Sequence, residues 1–320
     1  MTSVVNGLPI RLRHLGASSA FCAAMLLVCF AFLTPREASS QVALDPSKEI
    51  SQYARDEWGT TQGLTVNSVQ AIAQTPDGYL WLGTEAGLLR FDGLTFTTFD
   101  KRNTPELLSN EVKTLLVAKS GALWIGTHGG GLTRLADGRF KTFSTSDGLS
   151  GNSVLSMFED SRDNLWIGTD GGGLNKLVND RITRYPALPG LPDNSIFAIA
   201  EDATGDLWIG TRKGLRKWSR SGVCVRVPDT PALESAYIRA LYRTPDNVLW
   251  VGTNGRGLYR IGPNSIQHLT AKTGLRSDSI WALLQDGSGS LWIGFGSPGL
   301  TRLYRGHTAS FAGDPSEVGR

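Results

Sequence analysis

Cysteine is scarce in this sequence, and its placement excludes a disulfide framework. Of the three cysteines among 320 residues, Cys22 and Cys29 lie in an apolar N-terminal stretch, and only Cys224 lies beyond it. Folds that depend on disulfides need several cysteines in their folded part. We therefore expect Cys224 to be a free, buried thiol, which is the usual state of an isolated cysteine.

Histidine and charge are also scarce, which excludes two further classes of site. None of the four histidines pairs with another at the spacing of a metal-binding motif, so no metal and no other cofactor is predicted. Charged residues make up 19% of the chain, and the net charge is +3. Proteins that bind nucleic acid usually carry a marked basic patch, so the composition gives no reason to predict that partner.

One phrase recurs six times: Leu-Trp, a hydrophobic residue and Gly, followed by Thr or Phe. Its tryptophans are separated by 43, 42, 42, 42 and 42 residues, and they are Trp81, Trp124, Trp166, Trp208, Trp250 and Trp292. So regular a period indicates one supersecondary unit copied in tandem, in which each copy buries its faces against its neighbours. We interpret the tryptophans as structural, because a large aromatic followed by Gly suits packing between copies.

Each copy holds short apolar runs separated by turns rich in Gly, Asp and Asn, such as Pro76-Asp77-Gly78. Four strands of about five or six residues fill such a copy, which is the size of one blade of a β-propeller. Helical repeats would need amphipathic runs of about ten residues or more, and the sequence has none. The prediction is an all-β fold, a β-propeller of about six four-stranded blades over residues 67–311, followed by a tail at 312–320.

The first forty residues have the order of a signal peptide. Arg11 and Arg13 precede an apolar stretch at 17–33, and small residues follow at 38–40. This order predicts export with cleavage after Ser40. A retained N-terminal membrane anchor is the alternative, because the stretch approaches the length that spans a bilayer. Both interpretations place the repeats in the periplasm or another extracytoplasmic compartment.

The exported part of the chain resembles the two-component regulator propeller family over nearly all its length. The resemblance rests on the repeated phrases, such as Leu165-Trp166-Ile167-Gly168-Thr169, and on the opening segment at 58–64. It implies the extracytoplasmic sensor of a bacterial signalling receptor, whose propeller recognises a ligand, often an oligosaccharide, and drives a kinase or a diguanylate cyclase across the membrane. The chain is accordingly expected to be a non-catalytic sensor that binds a carbohydrate or a similar small polar ligand.

The chain departs from the family pattern after its sixth repeat. Family receptors commonly carry two propellers of about seven blades, a transmembrane helix and an output domain. Here six copies are followed by no second apolar span, so truncation of a longer receptor is expected, with a membrane signalling partner or a missing C-terminal kinase or cyclase module as the output.

Closure of the propeller has more than one interpretation. Within the lead-in at 41–66, the segment from Ile50 to Trp58 is predicted to be an outer strand that latches the last blade. The segment from Thr308 to Phe311, however, predicts that the sixth copy has a fourth strand of its own. The spare strand leaves open a six-repeat ring, an open arc and an incomplete seven-bladed ring.

Candidate ligand-binding residues come from the loop after each tryptophan strand. The position four residues after the tryptophan changes chemistry between copies while its neighbours stay nearly constant. It reads Glu85, His128, Asp170, Arg212, Asn254 and Gly296. Such loops surround one mouth of a propeller's channel, so we interpret this position as a polar ring that binds a ligand. Free variation of exposed loops would give the same pattern.

A second set of candidates lies fourteen residues before the tryptophans: Asn67, Asn110, Asn152 and Asn194. These asparagines would either bond sugar hydroxyls at the same mouth or cap the turn that enters the inner strand.

Two other classes of function remain open on the sequence. Secreted propeller lyases have a similar fold, and a lyase or hydrolase would use His128 with Asp170 and Glu85. A protein–protein interaction scaffold would use aromatic anchors outside the repeat position. Tyr237 and Trp281 are aromatic residues outside the repeat position, but both are expected to fill the blades, because they lie in or beside the inner-strand runs.

Overall fold

The computed structural model describes residues 45–53, 58–66, 68–219 and 222–311. The predicted signal segment at 1–40 and the tail at 312–320 lie outside the described residues. Within the described ranges, 24 strands form six sheets, each a meander of four sequential antiparallel strands. The predicted all-β propeller with six four-stranded blades is therefore confirmed.

The strands follow one another blade by blade. They are β1 Val69–Gln74, β2 Leu80–Thr84, β3 Leu88–Phe91 and β4 Phe96–Phe99; β5 Val112–Val117, β6 Leu123–Thr127, β7 Leu132–Ala136 and β8 Arg139–Phe143; β9 Val154–Glu159, β10 Leu165–Thr169, β11 Gly173–Val178 and β12 Arg181–Tyr185; β13 Ile196–Glu201, β14 Leu207–Thr211, β15 Gly214–Trp218 and β16 Cys224–Val225; β17 Ile238–Arg243, β18 Leu249–Thr253, β19 Leu258–Ile261 and β20 Ile266–Leu269; β21 Ile280–Gln285, β22 Leu291–Phe295, β23 Leu300–Tyr304 and β24 His307–Phe311. Short 3-10 turns occur at Ile50–Gln52, Thr60–Gln62, Thr145–Asp147, Pro231–Leu233 and Ala271–Thr273.

The repeat tryptophans of blades 1 to 5 lie in apolar clusters with residues of the next blade. Trp166 is only 6% exposed and belongs to one apolar cluster with Ile196 and Ile209 of the next blade. Its indole Nε1 donates a hydrogen bond of 2.8 Å to the carboxylate of Asp160, in the turn before the strand. A buried indole N–H needs such an acceptor. The contacts support the structural interpretation of the tryptophan and explain the acidic residue in the turn.

The acidic turn residues are held in their charged form by the fold. Burial alone would raise the pKa of Asp160, but hydrogen bonds from Asn164, Trp166 and two backbone N–H groups outweigh it and leave the pKa below its ordinary value. Asp286, which accepts a hydrogen bond from the indole of Trp292, has its pKa lowered in the same way against the opposing effect of burial. The carboxylates therefore contribute to stability only while they are ionised.

The glycine of each tryptophan phrase marks the contact between blades. In blade 1, a Cβ atom on Gly83 would lie 2.6 Å from Cγ1 of Val112, which begins the inner strand of blade 2. The same close approach recurs at the next four interfaces. In blade 6, a Cβ atom on Gly294 would meet only Ala282 of its own blade, at 3.3 Å. No described residue of blade 1 packs against Gly294 in the way that Val112 of blade 2 packs against Gly83.

Blades 6 and 1 are therefore separated by a seam. Successive inner strands contact one another from β1 to β21, whereas β21 and β1 make no comparable contact. Two apolar side chains of these strands are consequently exposed, Ile72 by 67% and Leu284 by 62%. The described residues form an open arc of six blades and not a closed six-bladed ring.

The predicted latching strand is not formed at Ile50–Gln52, which adopt a 3-10 turn. The physical reason is that blade 6 already has its fourth strand, because β24 pairs with β23 along its whole length. The lead-in is instead held at this edge by Arg302, which donates hydrogen bonds to the Lys48 carbonyl at 2.8 Å and to the Tyr53 hydroxyl at 3.1 Å. Residues 54–57 of the predicted strand lie outside the described ranges.

Two smaller expectations can also be compared with the structure. Cys224 is a free, buried cysteine, as predicted, and burial raises the pKa of its thiol to about 11. Among the helical segments of the described residues, none combines the length and the apolar character needed to cross a membrane.

Candidate functional site

A central channel runs between the inner strands of the blades. Residues from all six inner strands line a cavity of about 710 Å³. Every inner strand has a β-bulge at the same place, immediately after the Val or Ile that begins the strand. The bulged residues all line the cavity, and they are Gln70, Lys113, Leu155, Phe197, Arg239 and Trp281. Bulges re-aim side chains, so this position, which the sequence analysis did not single out, supplies the lining of the channel.

The predicted loop ring lies beside the mouth of this channel. The backbone N–H groups of His128, Asp170, Asn254 and Gly296 each donate to the carbonyl of the residue that precedes the inner strand of the same blade. In these four blades the hydrogen bonds place the loop next to the start of the inner strand, where the bulged residue also lies. The position of the ring is thereby described, while its role in binding a ligand stays a prediction.

Residues of the ring contact the next blade in sequence order. The Nδ1 atom of His128 lies 3.2 Å from the hydroxyl of Ser153 in blade 3. Asp170 accepts a hydrogen bond of 2.6 Å from the hydroxyl of Ser195 in blade 4. Asn254 forms an isolated β-bridge with Ser279 of blade 6. The ring residues are therefore linked through serines of neighbouring blades and are not gathered at one point.

The residues suggested for a lyase do not form a hydrogen-bonded group in the described part of the chain. His128 is bonded to Ser153 and Asp170 to Ser195, and no hydrogen bond or ion pair joins His128 to Asp170 or Glu85. Over the same ranges, no group of three or more His, Cys, Asp or Glu side chains is arranged to hold a metal ion.

An aromatic–arginine cluster occupies the mouth on the side of blades 4 to 6; it consists of Phe197, Arg212, Tyr237, Arg239 and Trp281. The rings of Phe197 and Tyr237 meet edge to face, with 4.8 Å between centroids. The guanidinium of Arg239 lies 4.6 Å from the Trp281 ring centroid, and its Nη1 donates a hydrogen bond of 2.9 Å to the Tyr237 hydroxyl. The Arg212 guanidinium lies 5.5 Å from the ring centroid of Phe197.

The expectation that Trp281 fills a blade is wrong. Trp281 is 50% exposed, because the β-bulge directs it into the channel while Ile280 beside it is fully buried. Its indole lies over Gly296, where a Cβ atom would come within 2.6 Å of the indole Nε1. This contact explains why the ring position of the sixth repeat is a glycine.

The cluster is cationic and lacks acidic partners. Among the described residues, no carboxylate forms an ion pair with Arg212 or Arg239. The Nε atom of Arg239 is buried and has no hydrogen-bond acceptor in the described part of the chain. Lys113, a bulged residue on the other side of the channel, is paired with Glu111. Comparing the bulged position across the repeats would have found the cluster, since this position varies from Gln to Trp.

The asparagines of the second set take part in the turns before the inner strands. The Asn110 side-chain carbonyl accepts a hydrogen bond of 2.9 Å from the Lys101 backbone N–H. That of Asn152 accepts one of 2.8 Å from Thr145, at the start of a 3-10 turn. The backbone carbonyl of Asn194 accepts from Gly173 of the preceding blade at 2.9 Å. Asn67 lies outside the described residues, and binding of sugar hydroxyls by this set stays a prediction.

Comparison with known proteins found a family match to the repeats and several solved structures with a similar fold. Residues 63–86, 148–171, 190–213, 232–255 and 274–297 match the two-component regulator propeller family. The extracellular domain of the hybrid two-component system BT3049 from B. thetaiotaomicron is 24% identical with a TM-score of 0.69, over 80% of this chain and 35% of that one. Virginiamycin B lyase from Staphylococcus aureus is 16% identical with a TM-score of 0.62, over 78% of this chain and 86% of the lyase.

A third solved structure, PorZ of the type-IX secretion system of Porphyromonas gingivalis, is 20% identical with a TM-score of 0.59, over 72% of this chain and 37% of PorZ. At these identities the likeness shows the propeller fold alone. The chain spans about a third of the length of the BT3049 domain. No curated protein matches the sequence. Five of the six blades therefore carry a repeat of the two-component regulator propeller family.

Proposed function

We propose that this chain is the extracytoplasmic sensor module of a two-component-type signalling system, and that it binds a carbohydrate or a similar small polar ligand without catalysing a reaction. Its family repeats support the signalling role, and the extracellular domain of a two-component system shares its fold. The N-terminal segment supports export. The output would come from a membrane signalling partner or from a kinase or cyclase module.

The observation that carries the binding proposal is the composition of the channel mouth. Trp281 is half exposed beside Arg239, whose guanidinium also lies over Tyr237 and Phe197. Residues of the loop ring lie at the same end of the inner strands. Aromatic rings that present a face beside hydrogen-bonding groups suit a ligand with one apolar and one polar side. A sugar ring has this character, since its C–H groups can stack while its hydroxyls bond to side chains such as His128 and Asn254.

A binding screen tests the proposal. The purified propeller would be titrated with a panel of neutral and charged oligosaccharides, with the shift in melting temperature and the heat of binding as readouts. Trp281→Ala should abolish or strongly weaken binding, whereas Leu94→Ala, which removes an apolar side chain exposed in a distant turn, should not. A panel without a single binder would contradict the carbohydrate proposal. Appearance of a cleaved product in the same mixtures, followed by mass spectrometry, would contradict the non-catalytic role.

A further inference from the structure

Charged side chains are distributed unevenly around the central channel. Around blades 4 to 6, Arg212 and Arg239 lie against aromatic faces, and neither is neutralised by a described carboxylate. Around blades 2 and 3, by contrast, Lys113 is paired with Glu111 and Asp170 supplies a negative charge. Arg239 is partly buried, and a guanidinium group in such a place is usually matched by an anion, so the arrangement around it is incomplete.

From this arrangement we infer that the site selects an acidic saccharide, such as an oligosaccharide with uronic acid residues; the inference rests on the function proposed above. The carboxylate would accept hydrogen bonds from the two guanidinium groups, and the sugar ring would stack on Trp281. Arginine suits this role, because its planar fork can bond both oxygens of one carboxylate.

The geometry limits which part of the cluster can meet such a ligand. The Nη1 atom of Arg239 is already bonded to the Tyr237 hydroxyl at 2.9 Å, which fixes the guanidinium plane between Tyr237 and Trp281. Arg212 is exposed and lies over Phe197 and Tyr237 from the loop side. Arg239 is therefore held in place before a ligand arrives, which reduces the entropy lost on binding. Arg212 would close over the ligand from the loop.

Calorimetric titration with two matched probes tests the inference. The probes are a tetrasaccharide of galacturonic acid and a neutral tetrasaccharide of galactose. The variants are Arg239→Gln, Arg212→Gln and Arg239→Lys, with Arg184→Gln as the control, because Arg184 is exposed on the outer strand β12 and its replacement removes the same charge. Circular dichroism and the melting temperature show whether each variant is folded.

We expect the acidic probe to bind at least tenfold more tightly than the neutral one. Arg239→Gln should weaken it by about 10- to 100-fold, the range for loss of a charge-assisted hydrogen bond. Arg239→Lys should recover part of the loss, which also covers the case in which the glutamine variant fails to fold. The control should bind as the unchanged protein does. Raised ionic strength should weaken the acidic probe selectively.

Two outcomes would overturn the inference in different ways. Equal binding of the two probes, or equal affinity of the Arg239→Gln and Arg184→Gln variants, would remove the selection for an acidic sugar and leave the proposed sensing of carbohydrates intact. Absence of binding by both probes, together with the absence of any binder in the wider oligosaccharide panel, would overturn both proposals.

Discussion

The seam between blades 6 and 1 can be tested with one substitution made at two equivalent positions. Gly168 and Gly294 occupy the same place in the third and sixth repeats, and neither has a positive φ, so alanine is compatible with the backbone at both. Their surroundings differ. A Cβ atom on Gly168 would lie 2.3 Å from the Ser156 hydroxyl of its own blade and 2.6 Å from the carbonyl oxygen of Ile196 in the next blade. One on Gly294 would meet the Cβ atom of Ala282, which takes the place of Ser156, at 3.3 Å.

The expected magnitudes follow from these contacts. At Gly168 the Ser156 hydroxyl can rotate away, but the carbonyl of Ile196 belongs to the backbone, so the two blades must separate. Overpacking of this kind costs about 1–3 kcal/mol. The same movement would disturb the 2.9 Å hydrogen bond from Ser156 Oγ to the Ile196 carbonyl, which adds about 1 kcal/mol. We therefore expect Gly168→Ala to lower the free energy of unfolding by about 2–4 kcal/mol. Gly294→Ala should change it by no more than about 0.5 kcal/mol.

Urea unfolding followed by tryptophan fluorescence measures both variants. A shift of the midpoint at unchanged m-value reports a change in stability, and a changed m-value reports separate unfolding of blades. Equal destabilisation by the two substitutions would refute the reasoning, because it would mean that Gly294 is packed against another blade and that the seam is closed in solution. If both substitutions left the free energy of unfolding nearly unchanged, the blades would be able to move apart and accommodate the added Cβ atom at little cost.

Three further predictions concern binding, pH and the cysteine. Replacing His128 and Asp170 together with alanine should weaken ligand binding in a titration while the melting temperature changes little, because both side chains are exposed; unchanged affinity would remove them from the site. The lowered pKa values of Asp160 and Asp286 stabilise the fold above about pH 4, the unfolded value, and this stability should be lost as the pH falls through the lower folded values; unfolding free energies that stay constant between pH 5 and 3 would contradict it. Cys224 should react with a thiol reagent only as fast as the protein unfolds, since it is buried and its pKa is raised to about 11; rapid labelling of the folded protein would contradict its burial.

Much of the fold could be predicted from local patterns. The spacing of the tryptophan phrase indicates the number of blades, and the turn residues mark the ends of strands such as β1 and β2. The role of Trp166 follows from its fixed place in the repeat, because one residue type retained in every copy points to one packing environment. The latching strand was wrong at Ile50–Gln52, because sequence patterns do not show which strand takes the edge of blade 6.

The candidate site was predicted only in part, because the β-bulges that direct side chains into the channel do not show in the sequence pattern. The loop position that contains His128 and Asp170 was found by its variation between repeats, and the structure places it beside the channel. The exposure of Trp281 was missed, because a β-bulge turns its side chain away from the direction that strand alternation predicts. The pairing of Trp281 with Gly296 was missed for the same reason.

The repeat, the all-β blades and the packing role of the tryptophans could be predicted from the amino-acid sequence, because they depend on periodicity and on contacts within one unit or between identical neighbours. The open arc beside Gly294 and the meeting of Phe197, Tyr237, Arg239 and Trp281 at one mouth became visible in the folded chain. These features depend on how blades far apart in the chain are arranged around the channel, and no local pattern encodes that arrangement.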